Sequence, residues 1–308
     1  MIIKDNKAIA YRGFGYNILS EINLPELFPL NECEDKIDIV INEVDLTNIW
    51  SSLACQEDLY AFEKNRIMFK VPNVAIYSIE DGEKILVSPF EGSDEDERRL
   101  YILGTCMGAI LMQRKVFPLH GSAISINGKA YAIVGESGAG KSTLATAFIN
   151  RGYKMLSDDV IALTFLRNNA PFIIPSYPQQ KLWEESLNKF GMECKDFLPL
   201  YGRETKFSVP VSLNFSYKVL PLAGIIELVK SEDESIKIQS ITGLERLHTI
   251  YRHTYRNQFI QPLGIMEWHF KNSINIINHL PLYQLKRPTT YFTAPELVNT
   301  ILTTINEE

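Results

Sequence analysis

Gly135-Glu-Ser-Gly-Ala-Gly-Lys-Ser142 decides the reading of this chain. It follows an apolar run, Lys129-Ala-Tyr-Ala-Ile-Val134, and opens a segment, Lys141 to Arg151, that suits a helix closed by Gly152. Strand, glycine-rich turn, helix is the context in which the pattern G-x-x-x-x-G-K-[ST] holds polyphosphate. Gly135, Gly138 and Gly140 let successive backbone N–H groups turn inward, with Glu136, Ser137 and Ala139 as the intervening positions. The positive end of the following helix points at the same anion. Lys141 is placed to reach the outer phosphates, Ser142 to ligate Mg²⁺, and Thr143 to complete the nucleotide-binding stretch.

Upstream, Asn127-Gly128 separates two alternating runs and predicts a tight hairpin. A two-residue turn pairs Ile126 with Lys129 and sets His120 opposite Gly135, at the mouth of the loop. Downstream, Asp158-Asp159 follows a short strand, Tyr153 to Ser157. Two adjacent carboxylates divide labour: one holds metal while the other accepts a proton from an incoming hydroxyl. The residues alone leave open which does which.

Other cations are candidate substrate contacts. Lys181 lies in the loop Pro175-Ser-Tyr-Pro-Gln-Gln-Lys-Leu-Trp183, which ends in a helix; Arg203 and Lys206 form a second basic cluster. Arg252 and Arg256 lie one turn apart on a helix read from Gly243 to about Arg256, and so share a face. Phosphoryl transfer and anionic substrates both call for cations.

Outward from this region the chain divides. Residues 1–92 read as a small antiparallel sheet: alternation at Ile37, Ile39 and Ile41, runs at 66–71, 74–79 and 84–88, and an Asp81-Gly82 turn. Residues 93–115 read as a connecting helix, started by a Ser93/Asp96 capping box, with Leu100, Leu103, Met107 and Leu111 at helical spacing. Residues 116–308 form the domain that carries the loop, with strands at 155–163, 222–229 and 236–241 and a last helix from Pro295 to Ile305. The fold class is α/β with an α+β tendency.

The whole chain has 308 residues, 31 Lys plus Arg against 37 Asp plus Glu, and a net charge of -6, which argues against general nucleic-acid or anionic-membrane binding. Cys33, Cys55, Cys106 and Cys194 are scattered without metal spacing and read as reduced thiols. The first residues show no basic stretch followed by an apolar one, and Leu100–Met112 is too short to span a bilayer, so the cytoplasm is the expected address.

The order His120-Gly121, hairpin, Gly135–Ser142, helix, Asp158-Asp159 resembles the catalytic domain of HPr kinase/phosphorylase, itself related to ATP-dependent phosphoenolpyruvate carboxykinases. The resemblance implies a core of mixed sheet and helices, ATP and Mg²⁺ as cofactors, and one aspartate as the base that activates a serine. We assign Asp158 as base, His120 and Lys141 as its catalytic companions, and Ser142 with Asp159 as the metal pair. The Glu-Ile-Arg-Gly-type signature tied to the reverse reaction is absent after Asp159. The front end (Tyr11-Arg-Gly-Phe-Gly15), Tyr177–Trp183 and Arg287-Pro288 are more similar to the homologues that phosphorylate the C-terminal serine of lasso-peptide precursors. A precursor peptide is thus the implied partner, gripped by strand addition to the front domain, and a homo-oligomer is compatible with the reading. Two alternatives stand beside it. One is a small-molecule kinase or carboxykinase-type phosphotransferase with a basic pocket around Lys181, Lys206 and Arg252. The other is a nucleotide-binding module without catalysis.

Overall fold

The computed structural model describes residues 8–30, 36–54, 58–166, 169–200 and 203–306, without the side chains of 203 and 204. Cys33 and Cys55 lie outside these; Cys106 and Cys194 are free thiols. The chain forms two compact units. One comprises 1–116 with 258–266, the other 117–257 with 267–308. The stretch 93–115 therefore belongs to the first unit, as does 258–266, which the sequence reading places with the loop-bearing domain.

The first unit is built on one sheet. Its strands are β1 (Ile9–Gly13), β2 (Tyr16–Ser20), β3 (Phe28–Pro29), β4 (Ile39–Glu43), β5 (Tyr60–Glu63), β6 (Arg66–Val71), β7 (Ala75–Glu80) and β8 (Lys84–Pro89), with α1 (Thr47–Leu53) between β4 and β5. The order is β3-β1-β2-β4-β8-β7-β6-β5. This sheet is larger than expected and mixed, because β4 runs parallel to both β2 and β8. Asp81 and Gly82 take φ 54° and 69° in the β7–β8 turn. The 93–115 helix begins one residue later than the capping-box reading: Asp94, not Ser93, is the cap, its carboxylate accepting from the Glu97 N–H at 3.0 Å. It runs as α2 (Glu95–Tyr101), a wider π turn over Ile102–Cys106, and α3 (Met107–Gln113).

The second unit carries β9 (Phe117–Ile126), β10 (Lys129–Val134), α4 (Lys141–Ile149), β11 (Lys154–Phe165), β12 (Pro171–Ile174), β13 (Gln179–Trp183), α5 (Glu184–Lys189), β14 (Leu198–Leu200) and β15 (Arg203–Pro210). It continues with β16 (Leu220–Ser231), β17 (Lys237–Ser240), α6 (Glu245–Arg252), α7 (Met266–His279, of which all but the first residue belong to this unit), β18 (Leu282–Pro288) and α8 (Ala294–Asn306). The main sheet has the order β10-β9-β11-β12-β16-β18-β17, and β10 also pairs with β16, so five strands close into a ring. Alternation along β10 sorts its side chains. Tyr131 and Ile133 join Leu144 and Phe148 of α4 and Val298 of α8, while Ala132 and Val134 join Ile250 of α6 and Ile276 of α7.

The hairpin register is the expected one. Lys129 pairs with Ile126 and Val134 with Gly121, through Asn127 and Gly128 at φ 50° and 78°. Strand β11 runs through the aspartate pair to Phe165, as the reading of 155–163 expects and the shorter reading of 153–157 does not. Two further segments differ from expectation. The segment before α5 is not a loop: Gln180 and Leu182 are buried and Gln179–Trp183 pairs with β15, giving a small sheet β13-β15-β14. Helix α6 stops at Arg252, and Arg256 has φ 52°, so the two arginines do not share a helix face.

Candidate functional site

Gly135 to Gly140 link β10 to α4 along a path that side chains would block. A Cβ on Gly135 would stand 2.5 Å from the Leu228 carbonyl oxygen of β16, and Gly138 and Gly140 take φ 77° and 104°. Glu136, Ser137 and Gly138 form the exposed tip, whereas Gly135 and Ala139 are buried. The resulting concavity of backbone N–H groups over a helix start fits a polyphosphate. At the far end of α4, Gly152 (φ 86°) donates to Ile149 and Tyr153 to Phe148, closing the helix.

Lys141 is buried, and its Nζ donates to the Gly135 and Glu136 carbonyls at 2.8 and 3.1 Å. Burial pushes its pKa down, opposed by the charges of Asp158, Asp159 and Glu136. Two further cations flank the loop. Arg287 Nε donates to the Ala139 carbonyl at 2.6 Å, and burial lowers its pKa too; the Lys230 ammonium comes within 3.6 Å of where a Gly138 Cβ would stand. Both residues sit at one register position of adjacent strands, β16 and β18. The sequence reading did not single out Lys230 and noted Arg287 only as part of an Arg-Pro pair. Their meeting depends on parallel pairing of distant strands, which no local pattern encodes.

The carboxylates face different partners. Asp158 is buried and surrounded by neutral donors: Ser122 Oγ at 2.6 Å, Ser142 Oγ at 3.0 Å and the Lys181 backbone N–H at 3.0 Å. Asp159, with φ 74°, turns toward Lys181 and His120. Lys181 Nζ lies 2.7 Å from its Oδ2 and His120 Nδ1 lies 3.4 Å from its Oδ1. Burial works to raise the Asp159 pKa, but Lys181 and His120 outweigh it and hold the carboxyl well below its usual range. The same pairing raises Lys181 against its own burial. Ser142 therefore meets Asp158, not Asp159, which departs from the metal pair inferred from sequence. Asp158 and Ser142 offer the hard oxygen donors that Mg²⁺ takes alongside phosphate oxygens. Among the described residues no cluster of three His, Cys, Asp or Glu side chains could hold a metal without such help.

His120 pairs with Val160 across β9 and β11, so it faces Asp159 rather than the loop itself. Its Nδ1 is also 3.0 Å from the Asp159 carbonyl oxygen, which places the ring proton on Nδ1. Its backbone N–H donates to the His253 carbonyl at 2.7 Å. His253 Nε2 in turn lies 2.9 Å from buried Glu227, beside Val134, with Gln284 on the other carboxylate oxygen. Burial raises the Glu227 pKa, yet His253, Gln284 and Arg252 bring it below its usual value. Glu227 is a second residue that sequence reasoning missed.

Of the candidate substrate cations whose side chains are described, only Lys181 joins the aspartate pair. Lys206 packs on the Trp183 ring at 5.2 Å, Arg252 lies 3.7 Å from Glu227, and Arg256 stacks near Tyr255 at 5.8 Å. Arg203 opens β15 opposite Leu200, and its side chain is outside the described residues.

A glycine-rich loop at a helix start, facing a lysine and a carboxylate pair, defines a P-loop phosphate site. The comparisons narrow that class: residues 112–205 match the HPr Serine kinase C-terminal domain family, and the region is HPr kinase-like. The chain is 29% identical over 180 residues to an HPr kinase/phosphorylase of Burkholderia lata, covering 55% of this chain and 52% of that one. It is 34% identical over 77 residues to the Mycoplasmopsis pulmonis HPr kinase/phosphorylase, covering 23% and 25%. The chain thus spans about half, or less, of the curated relatives it matches. A solved structure of the Hpr(Ser) kinase/phosphatase from Coxiella burnetii aligns over 61% of this chain and 95% of that one at 17% identity, with a TM-score of 0.34, too low to bear on the fold.

Proposed function

We propose that this protein is an ATP- and Mg²⁺-dependent kinase that transfers the γ-phosphoryl group to a serine hydroxyl of a ribosomally made precursor peptide, of the lasso type and at its C-terminal serine. The observation that carries the reading is the convergence of Lys141, Ser142 and Asp158 on one face of the glycine loop. In the step, the serine oxygen bonds to the γ-phosphorus, the bond from that phosphorus to the β–γ bridging oxygen breaks, and ADP departs with the electron pair. The hydroxyl proton passes to Asp158, whose hydrogen-bond partners are hydroxyls and a backbone amide, whereas Asp159 is in direct contact with the Lys181 ammonium. Asp159 is the poorer base, because Lys181 and His120 hold it charged. It serves with those two as a positioning cluster. Ser142 and Asp158 would hold Mg²⁺, which supplies charge neutralisation on the phosphates. Loop amides, Lys141 and Arg287 stabilise the charge that develops as the phosphoryl moves.

Small-molecule phosphotransfer is less well supported, because Lys181, Lys206 and Arg252 engage three different partners instead of one pocket. A module that only binds Mg·ATP needs neither a base nor the second carboxylate, Asp159, with Lys181 and His120 against it. The test is incubation with Mg·ATP and the precursor peptide encoded beside the gene. Mass spectrometry should find one added phosphate on a serine, and an unmodified peptide would refute the acceptor.

A further inference from the structure

A groove beside α5 takes no part in the account above. It measures about 450 Å³ and is lined by Trp183, Glu184, Glu185, Asn188 and Thr205. Trp183 is 40% exposed there, a large area for an indole. Lys206 packs on the ring but does not line the groove, so the groove meets the indole away from the ammonium.

One contact and one charge interaction tie this groove to the loop. Thr143, directly after the loop serine, has its hydroxyl 2.8 Å from Ser186 of α5. Ser186 follows Trp183, the last residue of β13, by three residues, at most about 11 Å of chain. Arg287 holds the Ala139 carbonyl at 2.6 Å, and the Glu185 charge partly offsets the lowering of that guanidinium's pKa by burial. The groove therefore lies on the side of the loop where Ala139 sits and α4 begins.

The charges are ordered to match. Cations Lys141, Arg287 and Lys230 gather at the loop, while carboxylates 184 and 185 mark the groove. Phosphate is repelled from the groove, but hydroxyl and amino donors are welcome there. We infer that the groove receives the nucleoside of the bound nucleotide, the base stacking on Trp183 and the sugar and base donors meeting Glu185 and Asn188. This rests on the nucleotide reading of the loop and deepens it. A flat ring face binds any base by stacking, and the acceptor side chains add orientation.

The test titrates the full chain with Mg·ATP and, separately, with inorganic tripolyphosphate, which carries the phosphates without a nucleoside. Trp183→Ala should weaken ATP about tenfold or more and leave tripolyphosphate unchanged, and Trp183→Phe should retain most of the ATP affinity. If Trp183→Ala fails to fold, the double variant Glu185→Gln with Asn188→Ala should show the same selective loss. Unchanged ATP affinity in these variants, or wild-type protein that binds ATP no better than tripolyphosphate, overturns the groove assignment while the loop reading stands. Wild-type protein that binds neither ligand overturns both.

Discussion

Asp158 and Asp159 are neighbours in sequence and differ in environment. One accepts from Ser122, Ser142 and a backbone amide; the other is clamped by Lys181 and His120. Asp158→Asn keeps the shape and removes the proton acceptor. We expect phosphoryl transfer at saturating Mg·ATP to fall roughly a hundredfold or more, beyond any loss of Mg·ATP affinity, measured by rapid-quench assay and calorimetry. Weaker Mg·ATP binding with the transfer rate at saturation intact would give Asp158 to the metal alone. Asp159→Asn strands the Lys181 charge in a mostly buried place. Stability should drop by about 2 to 3 kcal/mol in urea unfolding. Because the Asp159 pKa is depressed on folding, its contribution is complete above the ordinary carboxylate range near pH 4 and fades as pH falls below it. The variant should therefore differ from wild type at neutral pH and converge with it in strong acid.

At the scale of elements, Gly121 shows how little room the hairpin leaves. A Cβ there would stand 2.2 Å from the Ile133 carbonyl oxygen, which is backbone and cannot swing aside. Gly121→Ala should force β9 from β10, and thermal denaturation should show a loss of about 2 kcal/mol or more, or no soluble protein at all. The hairpin, its register and the strand–loop–helix order were legible in the sequence, because Asn127-Gly128 and the loop glycines are demands of local backbone geometry. The full length of β11 was not, since the run 155–163 reads as a strand while Asp158-Asp159 taken alone reads as the end of a shorter one. Nor was β13, whose alternation over five residues is hidden by two glutamines, one of which, Gln180, is buried against Thr146. The helix α7 was missed as well. Its asparagines and isoleucines carry weak helix propensity, and packing of Ile276 and His269 supplies what propensity does not.

For the whole molecule, the parts of the site that escaped the sequence are those joined by long-range strand pairing. Glu227 meets the loop strand through Val134, and Lys230 and Arg287 come together only when β16 and β18 align. The same long-range packing sets the response of the fold to acid. His269 is buried between Thr254 and the ring of Phe117, and desolvation lowers its pKa from 6.5 to about 4. The unfolded chain takes up this proton first, so stability should decline as pH drops from 6.5 to about 4, by about 3 kcal/mol in total. Urea midpoints across that range should show the slope, and His269→Gln should flatten it. The central claim, that the loop from Gly135 to Ser142 holds a triphosphate under Lys141, is met most directly by titrating Mg·ATP into wild-type protein and Lys141→Ala by calorimetry. The account predicts one saturable site in the wild type and a loss of about tenfold or more in the variant. Wild-type protein that releases no heat of binding, or a variant that binds as tightly, would contradict it.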